Sequence, residues 1–424
     1  MERTWLRVAC SLFIAVTMMT IAACTDESAP VFDTSGNIYK DEYAPRQVQV
    51  RTADSSLRLN HWGTIEHIFM PDSTEMIGKV DKIQVADGNV YIMDKELAKA
   101  IFCYDLNGKL KWKYGGTKLN EKKFAQLSDM HVRGDAVFAL DGRALKIIQL
   151  DTAGRLVRAM PINKKKKLWP DDLFVESNQN IILYNFDIGD YADFPYEMTV
   201  MDADCRRILS YHLIKSHNPP AKRWGPDISP IQYFRDNSGF YFTKAMNDTI
   251  YSYRDGIFSR AYTVDFGKHK IPDEVKSRRR FSLNAFQGTS YEGNIERIVD
   301  NDSVLFFMFS KGNQPGYAFV DKQTLQTKSV RMVLFNIDKY FQMLVPVGSW
   351  DGNIVASLLP VHVLEYWKHY KQQHKSLSDE QVHAKMQAES PMLYKLMTSL
   401  TMRSNPVLVS LNMSKSKLFP DEKK

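Results

Sequence analysis

Cysteine is scarce. There are four in 424 residues, and two of them, Cys10 and Cys24, fall in the first 24 positions. Only Cys103 and Cys205 remain for the folded body. That excludes a disulfide framework and makes buried free thiols the expectation for both. Metal-ligand spacing is missing too. The ten histidines are scattered; His362 and His369 are seven apart on an expected helix, with His374 and His383 beyond. None of these pairs has the tight i, i+4 spacing of zinc sites. The chain has no Gly-x-Ser-x-Gly and no P-loop. No metal or cofactor is expected. Charge of one sign is modest as well: the formal net charge is +7, and removing the first 23 residues takes away Arg3, Arg7 and Glu2, leaving about +6. On so long a chain that permits acidic partners but does not imply nucleic acid.

The N-terminus is informative. Arg3 and Arg7 precede a mostly apolar stretch, Val8 to Ala23, that ends in small residues. This is the layout of a secretory signal, and it is short of the roughly 20 apolar residues a membrane span needs. It closes on Ile21-Ala22-Ala23-Cys24, which resembles a bacterial lipobox. Small side chains admit the peptidase, and the Cys24 thiol would take the diacylglycerol. Two or three acyl chains make a stable anchor, where one is marginal. Thr25-Asp26-Glu27 follows, similar to the acidic surface-export signal of Bacteroidota lipoproteins. Residues 25 to about 45 carry Ser, Pro, Gly and Asp without periodicity and read as a tether.

The body repeats one sentence. Asp87-Gly88-Asn89-Val90-Tyr91-Ile92-Met93-Asp94 is a turn followed by a β-branched and aromatic strand. Copies begin at Arg133, Ser177, Asp236, Asp300 and Ser349. From Val90, the matched hairpin positions Val137, Ile181, Phe240, Val304 and Ile354 follow at steps of 47, 44, 59, 64 and 50. That is a propeller-like period with loop insertions. A second turn repeats as well: Asp105-Leu106-Asn107-Gly108 is matched by Asp151-Thr152-Ala153-Gly154, and by Asp202-Ala203-Asp204-Cys205 with cysteine where glycine is expected. Each unit reads as four antiparallel strands, a propeller blade. The sixth is interrupted by a helical stretch from about Val361 to Ser399, in which Ser378-Asp379-Glu380-Gln381 looks like a capping box. After Asn405-Pro406-Val407-Leu408-Val409-Ser410-Leu411 that unit lacks a strand. The uncommitted segment Thr64 to Met70 is expected to supply it, outermost beside Val407 to Leu411, with Ile65 and either Ile68 or Phe69 turned to neighbouring blades.

These features resemble the six-bladed β-propeller lipoproteins of Bacteroidota, of NHL/TolB-like architecture and without an assigned activity. The match rests on the lipobox at Cys24, Ile65 to Pro71 followed by Met76-Ile77-Gly78-Lys79, Phe242 to Tyr251, and the helical insert before Asn405-Pro406-Val407-Leu408. Family members often carry a Gly-x-Gly-Pro-Gly-Glu-aromatic loop after the first blade; here it reads Gly115-Gly116-Thr117-Lys118-Leu119-Asn120-Glu121-Lys122-Lys123-Phe124. The expected architecture is therefore all-β. A signal peptide (1–23) and a lipidated tether (24–45) precede a six-bladed propeller (46–424) of four-stranded antiparallel blades. An N-terminal strand closes the ring, and the last blade holds a helical insertion at about 361–400.

In a propeller the ligand usually sits over the channel mouth. The loops assigned there carry Lys164, Lys165 and Trp169, then Tyr191, then Arg223 and Trp224, then Arg279. Cations with aromatics suit an acidic glycan, charge against anion and ring against sugar face; the same lysine runs also read as solvated loop surface. Asp94 and Asp141 end equivalent hairpin strands and either face the channel or close turns. The expected role is a monomeric, non-enzymatic binding or scaffold lipoprotein. It would sit in the outer membrane of the cell envelope, facing the surface or the periplasm, with an acidic glycan, peptide or envelope protein as partner. The alternative is a glycan lyase or hydrolase acting on an acidic polysaccharide, the hydrolase needing carboxylates roughly 5 or 6.5–9.5 Å apart.

Overall fold

The structure, a computed structural model, describes residues 44–162, 168, 170–185, 198–212, 232–233, 238–243, 247–276 and 288–420. It is an all-β propeller of four-stranded antiparallel sheets. Three strands come first: β1 (Arg46–Gln49), β2 (Ala53–Arg58) and β3 (Gly63–Phe69). Four-stranded units follow in sequence. The first is β4 (Lys82–Ala86), β5 (Asn89–Asp94), β6 (Ala100–Asp105) and β7 (Leu110–Gly115). The second is β8 (Leu127–Arg133), β9 (Ala136–Asp141), β10 (Lys146–Asp151) and β11 (Leu156–Pro161). The third is β12 (Pro170–Val175), β13 (Ile181–Asn185), β14 (Met198–Met201) and β15 (Ile208–His212). The fourth is β16 (Gln232–Tyr233), β17 (Gly239–Thr243), β18 (Thr249–Arg254) and β19 (Ile257–Asp265). The fifth is β20 (Glu292–Asp300), β21 (Val304–Lys311), β22 (Gln314–Asp321) and β23 (Thr327–Ile337), with the short β24 (Tyr340–Met343) on the far end of β23. The last comprises β25 (Pro346–Trp350), β26 (Asn353–Leu358) and β27 (Val407–Met413).

Turn chemistry makes these hairpins. Asp105 Oδ1 accepts from the amides of Asn107 and Lys109, and Asp151 Oδ1 from those of Ala153 and Arg155. The residue that closes the loop must turn left-handed: Gly108 has φ 85° and Gly154 φ 77°. Cys205 takes that same place at φ 59°, a conformation costly for a residue with a Cβ, and its side chain is buried. Both body cysteines are free and buried, and burial pushes the Cys103 thiol up to about 11.

Apolar residues on both faces of each unit meet those of the next. Tyr91, Met93 and Ile101 of the first pack on Met130, Val137 and Ile148 of the second. Phe138 and Ile147 face Leu173 and Leu183. Phe174 and Tyr184 face Phe240 and Phe258. Ile250 and Val264 face Leu305 and Phe307. Phe306 and Phe319 face Ile354 and Val409. Val355 and Leu408 of the last unit face Ile92 and Phe102 of the first. The helical insertion joins β26 to β27 as helices at Pro360–Gln373, Asp379–Glu389 and Pro391–Ser399, and Val363, Met386 and Leu393 bury it on the cluster shared by the fifth and last units. Ser378 and Gln381 form the expected reciprocal capping box.

Strand β3 pairs antiparallel with β27, Phe69 opposite Leu408, Ile68 opposite Val409 and Ile65 opposite Leu411. A bulge opposite Ser410 and Leu411 shifts the alternation. Ile65 and Ile68 therefore both pack on the cluster shared with the fifth unit, while Phe69 packs on the one shared with the first. The either-or between Ile68 and Phe69 resolves as both, on opposite faces. Two features depart from expectation. Hydrogen bonding delimits five sheets among the described residues, not six, because β25 and β4 meet through one parallel pair, Gly348 with Ile83. The approach is close: a Cβ on Gly348 would lie 2.4 Å from Ile83 Cγ2. Second, β1 and β2 add parallel strands outside β19 and β23, so residues 46–58 are a strap around the rim.

Candidate functional site

Cys24, Lys164, Lys165, Trp169, Tyr191, Arg223, Trp224 and Arg279 all lie outside the described residues, so the site is built from the channel wall. The first strands β8, β12, β16 and β20 each end their sheet, β25 and β4 meet inside the eight-stranded one, and β4, β8 and β12 lie side by side. Lys82 stands opposite Met93, Asp129 opposite Leu140 and Asp172 opposite Tyr184, in each case just before the last residue of the partner strand. Three charged residues therefore occupy one equivalent position in consecutive units. Lys82 Nζ lies 2.5 Å from Asp129 Oδ1, the two side chains 9% and 0% exposed. Asp129 Oδ2 accepts from the Leu173 amide at 2.8 Å. Two residues along each strand, Gln84, His131 and Phe174 are again equivalent. The Gln84 amide bonds both backbone groups of Val132, donating to its carbonyl at 2.9 Å and accepting from its N–H at 2.8 Å. His131 Nδ1 accepts from the Val175 amide at 2.8 Å, and its ring stacks on Phe174. Further round, Thr243 Oγ1 donates to the Ile295 carbonyl and Arg297 Nη1 to the Pro346 carbonyl. Side chains here do between units what backbone does within a sheet.

Burial, reinforced by the Asp172 carboxylate and opposed by Lys82, raises the Asp129 pKa above the ordinary carboxylate range. Burial, with Lys82 and Arg133 nearby, holds the His131 imidazole well below its usual value. Asp172 is 4% exposed, and its Oδ2 has no hydrogen-bond partner among the described residues. The arrangement can accept a hydrogen bond or a cationic group at Asp172. Among the described residues no group of three His, Cys, Asp or Glu side chains is placed to hold a metal. Asp94 and Asp141 close turns: Asp94 Oδ2 accepts from the amides of Gly78 and Lys79 and Oδ1 from Leu97, and Asp141 does the same for Ala125, Gln126 and Ala144.

His131 makes stability pH-dependent. Its folded pKa is depressed, so the stability it contributes is present above the unfolded value of about 6.5 and is lost as pH falls through and below it. Asp129, with a raised pKa, binds its proton more readily folded than unfolded, so it works the other way at lower pH. His131→Gln puts in the residue found at the equivalent position of the first unit. Urea unfolding of the wild type should lose up to about 1.4 kcal/mol per pH unit more than this variant below pH 6.5. Equal pH slopes for the two proteins would remove His131 as the cause.

None of Lys82, Gln84, Asp129, His131 or Asp172 was singled out from sequence. The signal was there: counting back across each hairpin from Asp94, Asp141 and Asn185 brings Lys82, Asp129 and Asp172 into one position. Among known proteins, a sequence profile described as a domain of unknown function, DUF4934, matches residues 72–412. No curated protein matches the chain in sequence. A candidate exported protein from Bacteroides fragilis shares 15% identity at a TM-score of 0.65, over 88% of this chain and 100% of that one, which shows a common fold. A DUF4221 member from Bacteroides vulgatus is 8% identical over 83% of this chain and 98% of its own, at a TM-score of 0.46. A virginiamycin B lyase from Staphylococcus aureus is 19% identical over 63% and 78%, at 0.37.

Proposed function

Because the chain belongs to the DUF4934 family of domains of unknown function, its role has to come from its own residues, and we propose that it is an exported, membrane-anchored propeller lipoprotein that binds or scaffolds a glycan, peptide or envelope protein without catalysis. The observation that carries this reading is how the polar groups of the channel wall are used. Gln84, Asp129 and His131 each hold a neighbouring unit's backbone. A catalytic acid or base has to be free to exchange protons with a substrate; these brace the wall against which a partner docks.

The same reading takes the propeller as a closed ring of six blades and a monomer. Splitting the eight-stranded sheet at its single Gly348–Ile83 pair gives two four-stranded blades, and β3 completes the last. A ring so closed turns the inner sheet edges toward its own axis, where they are short and protected from self-association. The anchor rests on Ile21-Ala22-Ala23-Cys24, which directs the protein to the cell envelope and, in this reading, the outer membrane. No helix among the described residues is long and apolar enough to cross a membrane.

Cys24→Ser should move the protein from the detergent to the aqueous phase of a Triton X-114 partition. Continued detergent partitioning would remove the lipoprotein reading. For binding, pull-down from intact envelopes combined with a glycan array should return a ligand that is recovered unchanged. Depolymerisation of an acidic polysaccharide by the pure protein would replace the reading with that of a lyase or hydrolase.

A further inference from the structure

Three loops at one end of the first unit share a surface that the channel does not explain. They are residues 75–81, the turn 95–99 between β5 and β6, and residues 116–126 after β7. Their tips carry Met76, Leu97 and Leu119, exposed to 50%, 59% and 94%. The loops are fixed to one another. Lys113 Nζ bridges Glu75 at 2.9 Å and Glu121 at 3.0 Å, and Lys79 Nζ bridges Asp81 at 3.0 Å and Glu96 at 2.9 Å. Leu97 lies against Gly78, where a Cβ would come within 2.6 Å of the Leu97 Cβ. The apolar tips are therefore held outward on a braced base.

Charge sorts itself in these loops. Every carboxylate is engaged: Glu75, Asp81, Glu96 and Glu121 are in the ion pairs above. Lys95, Lys99, Lys122 and Lys123 have no ion pair among the described residues, and Lys99, Lys122 and Lys123 are exposed. The surface thus offers three exposed lysines without an ion pair, Lys99, Lys122 and Lys123, around three protruding aliphatic side chains.

We propose that this end of the first unit docks on a bilayer surface containing anionic lipid, with Leu119, Leu97 and Met76 entering the headgroup boundary and the lysines against phosphate. Protruding aliphatic tips fit a soft, deformable partner. Lysine stems can lie along apolar surface while their ammonium groups stay in water. Anionic headgroups draw such lysines, and the attraction falls within a Debye length. The inference stands on these loops alone; it takes the acylated anchor only as what brings them near a membrane.

The test uses the full mature chain carrying Cys24→Ser, so that no acyl chain masks the loops, and vesicles of phosphatidylcholine with or without phosphatidylglycerol. The protein should cosediment with the anionic vesicles, fall at least tenfold on neutral ones, and release as salt rises. Leu119→Asp and the double variant Lys122→Glu/Lys123→Glu should each weaken binding about tenfold or more without lowering the melting temperature, because these side chains are exposed. Leu106→Asp, exposed at the opposite end of the same sheet, should leave binding unchanged. Absent vesicle binding, equal binding to neutral vesicles, or an equal effect of Leu106→Asp and Leu119→Asp would overturn the proposal. The detergent partition of the acylated chain reads the anchor separately, so either idea can fail alone.

Discussion

Deleting residues 60–71 should abolish cooperative folding at the temperature where the full chain is still native. The segment closes the edge of the last unit and fills two apolar clusters. Trp62 is fully buried. Its Nε1 donates to the Leu334 carbonyl at 3.2 Å, and its own carbonyl accepts from the Ser414 amide at 2.9 Å. Phe69 is 3% exposed, edge-on to both Tyr104 of the first unit and Trp350 of the last. Truncating one buried tryptophan costs about 3–5 kcal/mol, and a whole domain is stable by roughly 5–15 kcal/mol. Losing Trp62, Phe69 and the β3 ladder together exceeds that margin. Trp62→Ala alone should shift denaturant unfolding by about 3–5 kcal/mol. Circular dichroism and tryptophan fluorescence read both variants. A deletion protein that melts cooperatively at the full-length temperature would refute the dependence.

The second large effect is at Lys82. Lys82→Met leaves Asp129 as a buried carboxylate with Asp172 close by and no ammonium between the units. Breaking a buried pair from one side costs about 3–5 kcal/mol. Lys82→Met/Asp129→Asn should recover much of that, since asparagine is uncharged and its carbonyl can still accept from the Leu173 amide. Urea unfolding of the two single variants and the double variant gives the coupling directly. Strict additivity would mean that the 2.5 Å contact is not the interaction holding β4 to β8.

Local chemistry is what the sequence made legible. The Asp105 and Asp151 turns, the left-handed place taken by Cys205, the capping box at Ser378 and the partner of β3 were all readable, since each depends on a few residues or on a strand with no other use. The strap was not. Ala53-Asp54-Ser55-Ser56-Leu57-Arg58 has no β-branched or aromatic residue and buries only Leu57, and it pairs with residues some 275 positions away, so no local pattern marks it. The channel wall was hidden for a related reason. Asp129 and His131 sit in Leu127-Ser128-Asp129-Met130-His131-Val132, where polar side chains lie on the same strand as fully buried ones. Their partners come from separate units. The sheet count turned on one backbone approach at Gly348. The expected ligand residues lie outside the described residues, in stretches of sequence where the repeat says least.

The strap also sets how the protein answers a pull. If the chain is held at its N-terminus, force enters at Arg46 and meets β1, which lies parallel to β19 with four register pairs. Tension along a strand in that arrangement strains its interstrand bonds together, in shear, instead of one after another as in unzipping. Load that overcomes β1 meets β2 on β23 and then β3 on β27. Three sheets in succession therefore resist extraction of the chain, so a load on the propeller would strip the rim in stages before the last unit opened.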